Sequence, residues 1–200
     1  MYLSKVTFDI SNELVRKCTN DAQKMHFAVQ NFFSSSRKDA GVLYRVDWNH
    51  NALYMQSKVI PDMRNRMLSG FTFHNMICLD DNIKRLASGK RYRFDLLASP
   101  VKKIHIENKP RSVKVFLKDA QARMDWLNRK GEQGGFKVIS VNENVCDFPK
   151  VNHPKSGVFK CPSVQFTGTL EVTDAEKFRK TYCEGIGLAR AYGHGMLLLR

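Results

Sequence analysis

Residues 20–33 read NDAQKMHFAVQNFF, in which apolar residues recur among polar ones. Asn20 followed three positions later by Gln23 has the form of a capping box. Ala22, Met25, Val29, Phe32 and Phe33 then recur at helical spacing. The pattern predicts a helix over 21–33 with one face laid on a sheet. The polar run SSSRKDAG at 34–41 ends it. Upstream, residues 2–9 alternate in part and read as a strand. Downstream, 42–47 and 52–57 read as the arms of a hairpin joined through Trp48-Asn-His-Asn51. Pro61 interrupts, 62–68 reads as a short helix, and 71–79 reads as another strand. Strand, helix, two strands, helix, strand is the ferredoxin-like order.

A second cycle follows. Residues 91–97 read as a strand, and 101–116 (VKKIHIENKPRSVKVF) as two alternating arms around an Asn-Lys-Pro-Arg turn. A helix is predicted over 119–130 with Ala122, Met124 and Trp126 inward, then strands at 136–141 and 163–172. Thr173 and Glu176 give a second capping-box signature opening a helix to about residue 184, and 196–199 closes as an apolar strand. The expected class is α+β, two tandem ferredoxin-like (RRM-like) modules at 1–85 and 86–200.

The 33 Lys and Arg against 19 Asp and Glu, a formal +14, point to a polyanionic partner. Nucleic acid leads, ahead of an acidic protein or a membrane surface. No run of eighteen apolar residues exists, and the opening MYLSKVTFDIS has no signal-peptide core, so a cytoplasmic protein without membrane contact is expected. The five cysteines (18, 78, 146, 161 and 183) show no CxxC spacing and read as free thiols. The six histidines form no HExxH pattern and the carboxylates show no paired spacing, so neither a metal nor another cofactor is expected.

Three features carry chemistry. The tail GIGLARAYGHGMLLLR (185–200) is no dinucleotide fingerprint, because it follows a helix and precedes a strand, and it holds no Gly-Lys-Ser/Thr. Gly185, Gly187, Gly193 and Gly195 permit close backbone approach to phosphate, with Arg190 as a fork and His194 alongside. The plainer reading is a helix cap and a turn. The segment 101–118 carries Lys102, Lys103, Lys109, Arg111, Lys114 and Lys118 against the single carboxylate Glu107. It reads as a hairpin laid against nucleic acid, or as a solvated edge whose lysines discourage aggregation. Arg37 and Lys38 extend that surface. His26 flanks the apolar stripe of its helix, at the border of core and solvent, where an imidazole can move a proton near neutral pH. A half-buried histidine making an ordinary hydrogen bond is the alternative. Cleaving RNA would also need a cation on the developing phosphorane, from Lys160 or Arg190.

The segments MYLSKV (1–6), MHFAVQNFF (25–33), SGVFKCPSVQFTGTLEVTDAEKF (156–178) and GIGLARAYGHGMLLL (185–199) together resemble the CasE endoribonucleases, the CRISPR-repeat processing subunits of Cascade. The resemblance spans essentially the whole chain. It implies two ferredoxin-like modules that clasp a repeat stem-loop and cut at its 3′ base without metal. Attack by the 2′-hydroxyl would leave 5′-hydroxyl and 2′,3′-cyclic phosphate ends, and the guide would stay bound within Cascade beside other subunits. No obligate homo-oligomer is implied. His26 matches the family histidine, Lys160 a family lysine, and the 185–195 loop the glycine-rich RNA-binding loop; the 101–116 hairpin would meet the stem. The family pattern carries a tyrosine three residues before the histidine, where this chain has Gln23. Glutamine donates a hydrogen bond but is no phenolic acid. A non-catalytic repeat-binding subunit is therefore the alternative, and a general RNA-binding module a third reading.

Overall fold

A computed structural model describes residues 1–62, 69–105 and 112–200. The first half of the chain runs β1 (Tyr2–Phe8), α1 (Glu13–Thr19), α2 (Ala22–Gln30), the single turn α3 (Arg37–Ala40), β2 (Leu43–Asp47), β3 (Ala52–Ser57) and β4 (Phe71–Cys78). Its strands form an antiparallel sheet in the order β2-β3-β1-β4. After α4 (Asp80–Lys84) come β5 (Arg91–Ala98), the hairpin β6 (Val101–Ile104) and β7 (Val113–Phe116), α5 (Ala120–Gly134) and β8 (Phe136–Val145). A second hairpin, β9 (Lys150–His153) with β10 (Gly157–Lys160), precedes β11 (Val164–Val172) and α6 (Ala175–Glu184). A 3₁₀ turn (Arg190–Tyr192) leads to β12 (Leu197–Leu199). The second sheet is ordered β12-β5-β11-β8, again antiparallel. In each sheet the first strand lies between the third and the fourth, so both modules are ferredoxin-like, with two hairpins inserted in the second.

Each sheet has its own core. Val6, Val29, Phe32, Leu53 and Met55 are buried in the first, and Leu96, Leu127, Phe136, Phe166 and Phe178 in the second. Each such side chain contributes roughly 1.5–3 kcal/mol by leaving water. Arg45 of β2 pairs with Asp95 of β5 at 2.6 Å, and the Tyr44 hydroxyl donates to the Ala191 carbonyl at 2.8 Å. Gln56 Nε2 of β3 donates to the Tyr182 carbonyl at 3.2 Å. These polar links hold the two sheets in one arrangement.

Several expected boundaries move. The helix predicted over 21–33 stops at Gln30, though Phe32 and Phe33 still pack into the core from the turn beyond it. Asn20 is not its cap: its N–H closes α1 onto the Arg16 carbonyl, and Asp21 caps α2 by accepting from the Gln23 N–H at 3.0 Å. α1 itself was not expected, because only Val15 and Cys18 of its seven residues are buried and no apolar stripe announces it. Asp174 rather than Thr173 caps α6, accepting from the Lys177 N–H at 3.0 Å. α5 continues to Gly134, where Gly135 in the left-handed region (φ 76°) ends it. Met124, expected inward, is half-buried, while Arg123 is buried against Glu143 with Nε···Oε2 of 2.9 Å. The β9–β10 hairpin carries a buried Val151 but no alternating run, and was not expected. The helix expected at 62–68 and the turn at 108–111 lie outside the described residues, apart from Asp62.

Candidate functional site

α2 is fixed at its first turn by contacts from the other module. The Asp21 carboxylate, 4% exposed, accepts from the Asn152 N–H at 3.1 Å and from Asn152 Nδ2 at 2.8 Å. Burial works against its charge, but the hydrogen bonds from Asn152 and Gln23 outweigh that and hold its pKa below the ordinary value. Gln23, one residue into the helix, is buried, and its Oε1 accepts from the Tyr192 hydroxyl at 3.3 Å.

Three residues on, His26 comes up on the same side of α2 as Gln23. Its ring is half-buried, as its flanking position on the stripe predicts. It lies edge-on to the Tyr192 ring, centroids 6.4 Å apart at 77°, and 5.8 Å from Phe27, which is 49% exposed. On its other side Tyr192 meets Phe159 of β10 at 6.0 Å, also edge-on. Helix α2, the glycine-rich loop and the β9–β10 hairpin therefore converge around His26 and Tyr192. Tyr192 was not singled out from the sequence, although it is the one phenol of the loop.

Lys160 ends β10 directly after Phe159. Strand alternation turns it to the other face of the ribbon, where it is exposed. Lys160 and His26 thus stand on neighbouring segments, linked through Phe159 and Tyr192.

The glycine-rich loop differs from a simple phosphate cradle. Gly185, Gly187, Gly193 and Gly195 all have φ between 79° and 84°. At Gly195 a Cβ would come within 2.6 Å of the Ile186 carbonyl oxygen, and at Gly193 within 3.2 Å of the Tyr44 ring. The glycines thus allow close packing of the loop against both modules. Two amides expected for phosphate are already used: Gly195 donates to the Leu97 carbonyl at 2.7 Å and Gly185 to the Thr181 carbonyl at 2.8 Å. Arg190 folds back, its Nη1 donating to the Glu184 carbonyl at the end of α6.

His194, expected at the RNA surface, is fully buried. Its Nε2 lies 2.8 Å from Ser163 Oγ and its Nδ1 3.1 Å from the Tyr192 carbonyl. Burial pushes its pKa down to about 4, against smaller opposing hydrogen bonds, so it is neutral at physiological pH. Its side chain holds the loop rather than facing a ligand.

The basic hairpin is present. Lys103 of β6 stands directly opposite Lys114 of β7, and Lys102 beside them is exposed as well. Two like charges across one ladder repel, so the pair gains from a polyanion laid over it. Arg123 anchors the hairpin's base, its Nη1 donating to the Leu117 and Lys118 carbonyls. Lys109 and Arg111 lie outside the described residues, as does the side chain of Arg37; Lys38 is exposed on α3.

A cleft of about 770 Å³ opens between the two sheets, lined by Arg45, Trp48, Asp95 and Gln165 among others. His26 is on the convergence of loops described above and is not part of this lining. Among the described residues, no three His, Cys, Asp or Glu gather as metal ligands, and no helix is long and apolar enough to cross a membrane.

A family model described as CRISPR associated protein matches residues 1–200. The CRISPR-associated endoribonuclease Cse3 of Thermus thermophilus is 32% identical over 123 residues, a match spanning 56% of this chain and 56% of that relative. The solved structure of Thermus thermophilus Cse3 bound to an RNA representing a pre-cleavage complex is similar at TM-score 0.84 and 22% identity, covering 100% of this chain and 98% of that one. A chain of a CRISPR RNA-guided surveillance complex, pre-nicking, is similar at TM-score 0.78 and 24% identity, covering 100% and 99%. At these identities the two structures speak for the fold.

Proposed function

The chain belongs to the CRISPR associated protein family, and from that premise we propose that it is a metal-independent endoribonuclease of CRISPR precursor RNA. The substrate is a repeat stem-loop, cut at the 3′ base of the hairpin. The observation that carries this reading is the position of His26, a half-buried imidazole at the convergence of α2, the glycine-rich loop and the β9–β10 hairpin.

The chemistry asked of the protein is small. The 2′-hydroxyl attacks the adjacent phosphorus, the 5′-oxygen leaves, and the products carry 2′,3′-cyclic phosphate and 5′-hydroxyl ends. Positioned proton transfer supplies roughly 10²–10⁴-fold, and His26 is the group for it. A cation near the phosphorane stabilises the transition state. Lys160 fills that role if the exposed hairpin brings its ammonium over the bound strand.

The stem lies against the basic hairpin, with Lys102, Lys103 and Lys114 on phosphates, and Lys109 and Arg111 belong to the same RNA-binding set. Arg37 and Lys38 extend the track, and Gly187, Gly193 and Arg190 border the cut strand. The modules divide at 1–85 and 86–200. The cut guide remains bound, and the protein serves in the cytoplasm as one subunit of a Cascade assembly.

Replacing the nucleotide 5′ to the scissile phosphate by its 2′-deoxy form tests the reaction. The all-ribose hairpin is expected to be cut, and the 2′-deoxy hairpin to bind with similar affinity and stay intact. Cleavage of the deoxy hairpin would mean that another nucleophile attacks. Tight binding with no cleavage of either RNA would mean a binding-only subunit.

A further inference from the structure

We propose that Tyr192 is a second catalytic residue, the phenol that protonates the leaving 5′-oxygen while His26 takes the 2′-hydroxyl proton. This rests on the ribonuclease reading above. Three observations place Tyr192 in the reaction rather than in the core. Its ring is edge-on to His26 at 6.4 Å between centroids, so the two rings are immediate neighbours. Its hydroxyl is directed to the α2 side by Gln23 Oε1. The backbone beside it is fixed from both sides: the Tyr44 hydroxyl holds the Ala191 carbonyl, and buried His194 holds the carbonyl of Tyr192 itself.

The Gln23 contact is 3.3 Å, longer than the roughly 2.7–2.8 Å usual between two oxygens. A bond so long restrains the phenol weakly and leaves the proton available to a better acceptor. An alkoxide forming at the 5′-oxygen is such an acceptor. Burial raises the Tyr192 pKa, so the phenol stays protonated through the neutral range and is fit to act as an acid. Other groups around it are less suited. Gln23 has no acidic proton, and Lys160 lies on the far face of β10 from Phe159, the residue that touches Tyr192.

The step balances without another reactant. The O2′–P bond forms as the P–O5′ bond breaks. The 2′-hydroxyl proton passes to the His26 imidazole, and the phenolic proton of Tyr192 passes to O5′. The phenolate then regains a proton from water, and the imidazolium returns one to it.

The test compares the parent with Tyr192→Phe, which keeps the ring and its contacts with His26 and Phe159. Two repeat hairpins are used, the normal RNA and one with sulfur in place of the bridging 5′-oxygen. A thiolate leaves without protonation, so it needs no acid. Tyr192→Phe should bind both hairpins like the parent and cut normal RNA about 100-fold more slowly. It should cut the 5′-thio RNA at the parental rate. Equal cleavage of normal RNA by parent and variant overturns the proposal, and so does the same loss on both hairpins. A parent that cuts neither hairpin overturns the ribonuclease reading beneath it, and the proposal falls with that reading.

Discussion

Asn152 of β9 donates both its backbone N–H and its side-chain amide to the Asp21 carboxylate that caps α2. The helix bearing His26 in one module is thus held at its first turn by a hairpin of the other. Asp21→Ala removes the cap and leaves two Asn152 donors unpaired, and should cost about 2 kcal/mol. Urea unfolding checks the stability. Cleavage should fall more than RNA affinity, because the helix loses its aim while the basic hairpin is untouched. The Asp21 pKa is lowered in the folded protein. Its contribution is therefore complete above the ordinary aspartate pKa and disappears as pH falls through the lowered folded value. The stability gap between the parent and Asp21→Asn should accordingly be wide at pH 7 and close progressively as pH falls below the ordinary aspartate pKa.

His194 gives a second pH dependence of distinct origin. Its pKa is about 4 when folded and 6.5 when free. The unfolded chain binds the extra proton between those values, so stability is full above about pH 6.5 and falls toward pH 4. The loss is on the order of 3 kcal/mol. His194→Gln lacks this titration, and urea midpoints at pH 7 and pH 4.5 should fall less for it than for the parent.

Two glycines with nearly the same φ separate strain from crowding. Gly195 (φ 84°) would place a Cβ at 2.6 Å from the Ile186 carbonyl oxygen, whereas Gly89 (φ 80°) has nothing within 4 Å. Gly89→Ala should cost about 1 kcal/mol, from backbone strain alone. Gly195→Ala should cost at least twice that and disturb the loop around Tyr192. Thermal unfolding of the two variants side by side makes the comparison.

The facing Lys103 and Lys114 give a prediction with opposite signs for stability and binding. Replacing both by Gln removes a like-charge pair, so the free protein should be unchanged or slightly more stable. Hairpin affinity should drop, and the slope of log affinity against log salt should become shallower by about two, one for each lost phosphate contact. Titrations at several salt concentrations measure it.

Local pattern carried most of the fold. The alternation in β11 and the spacing of Met25 and Val29 in α2 reflect burial on one face, which a sequence displays directly. The errors fell where another residue competed for the same local role. Asp21 and Asp174 took the caps because each stands next to the residue expected there and reaches the right N–H. His26 was legible as a border residue of an amphipathic helix. Asn152 and Tyr192 were not, because their partners Asp21 and Gln23 are more than a hundred residues away in the chain. His194 was misplaced for a related reason. Flanking glycines suggest an open loop, and only the contacts with Ser163 and the Tyr192 carbonyl show that its side chain turns inward.

In the proposed reaction His26 moves the proton and the cleavage needs no metal. The direct measurement is the cleavage of an end-labelled cognate repeat hairpin in EDTA by the parent and by His26→Ala, with both RNA ends mapped and binding measured in parallel. The parent should cut at the 3′ base of the hairpin and leave a 2′,3′-cyclic phosphate. His26→Ala should bind equally and cut at least 100-fold more slowly. Cleavage by His26→Ala at the parental rate, or a parent that cuts only when metal is restored, would rule out this mechanism.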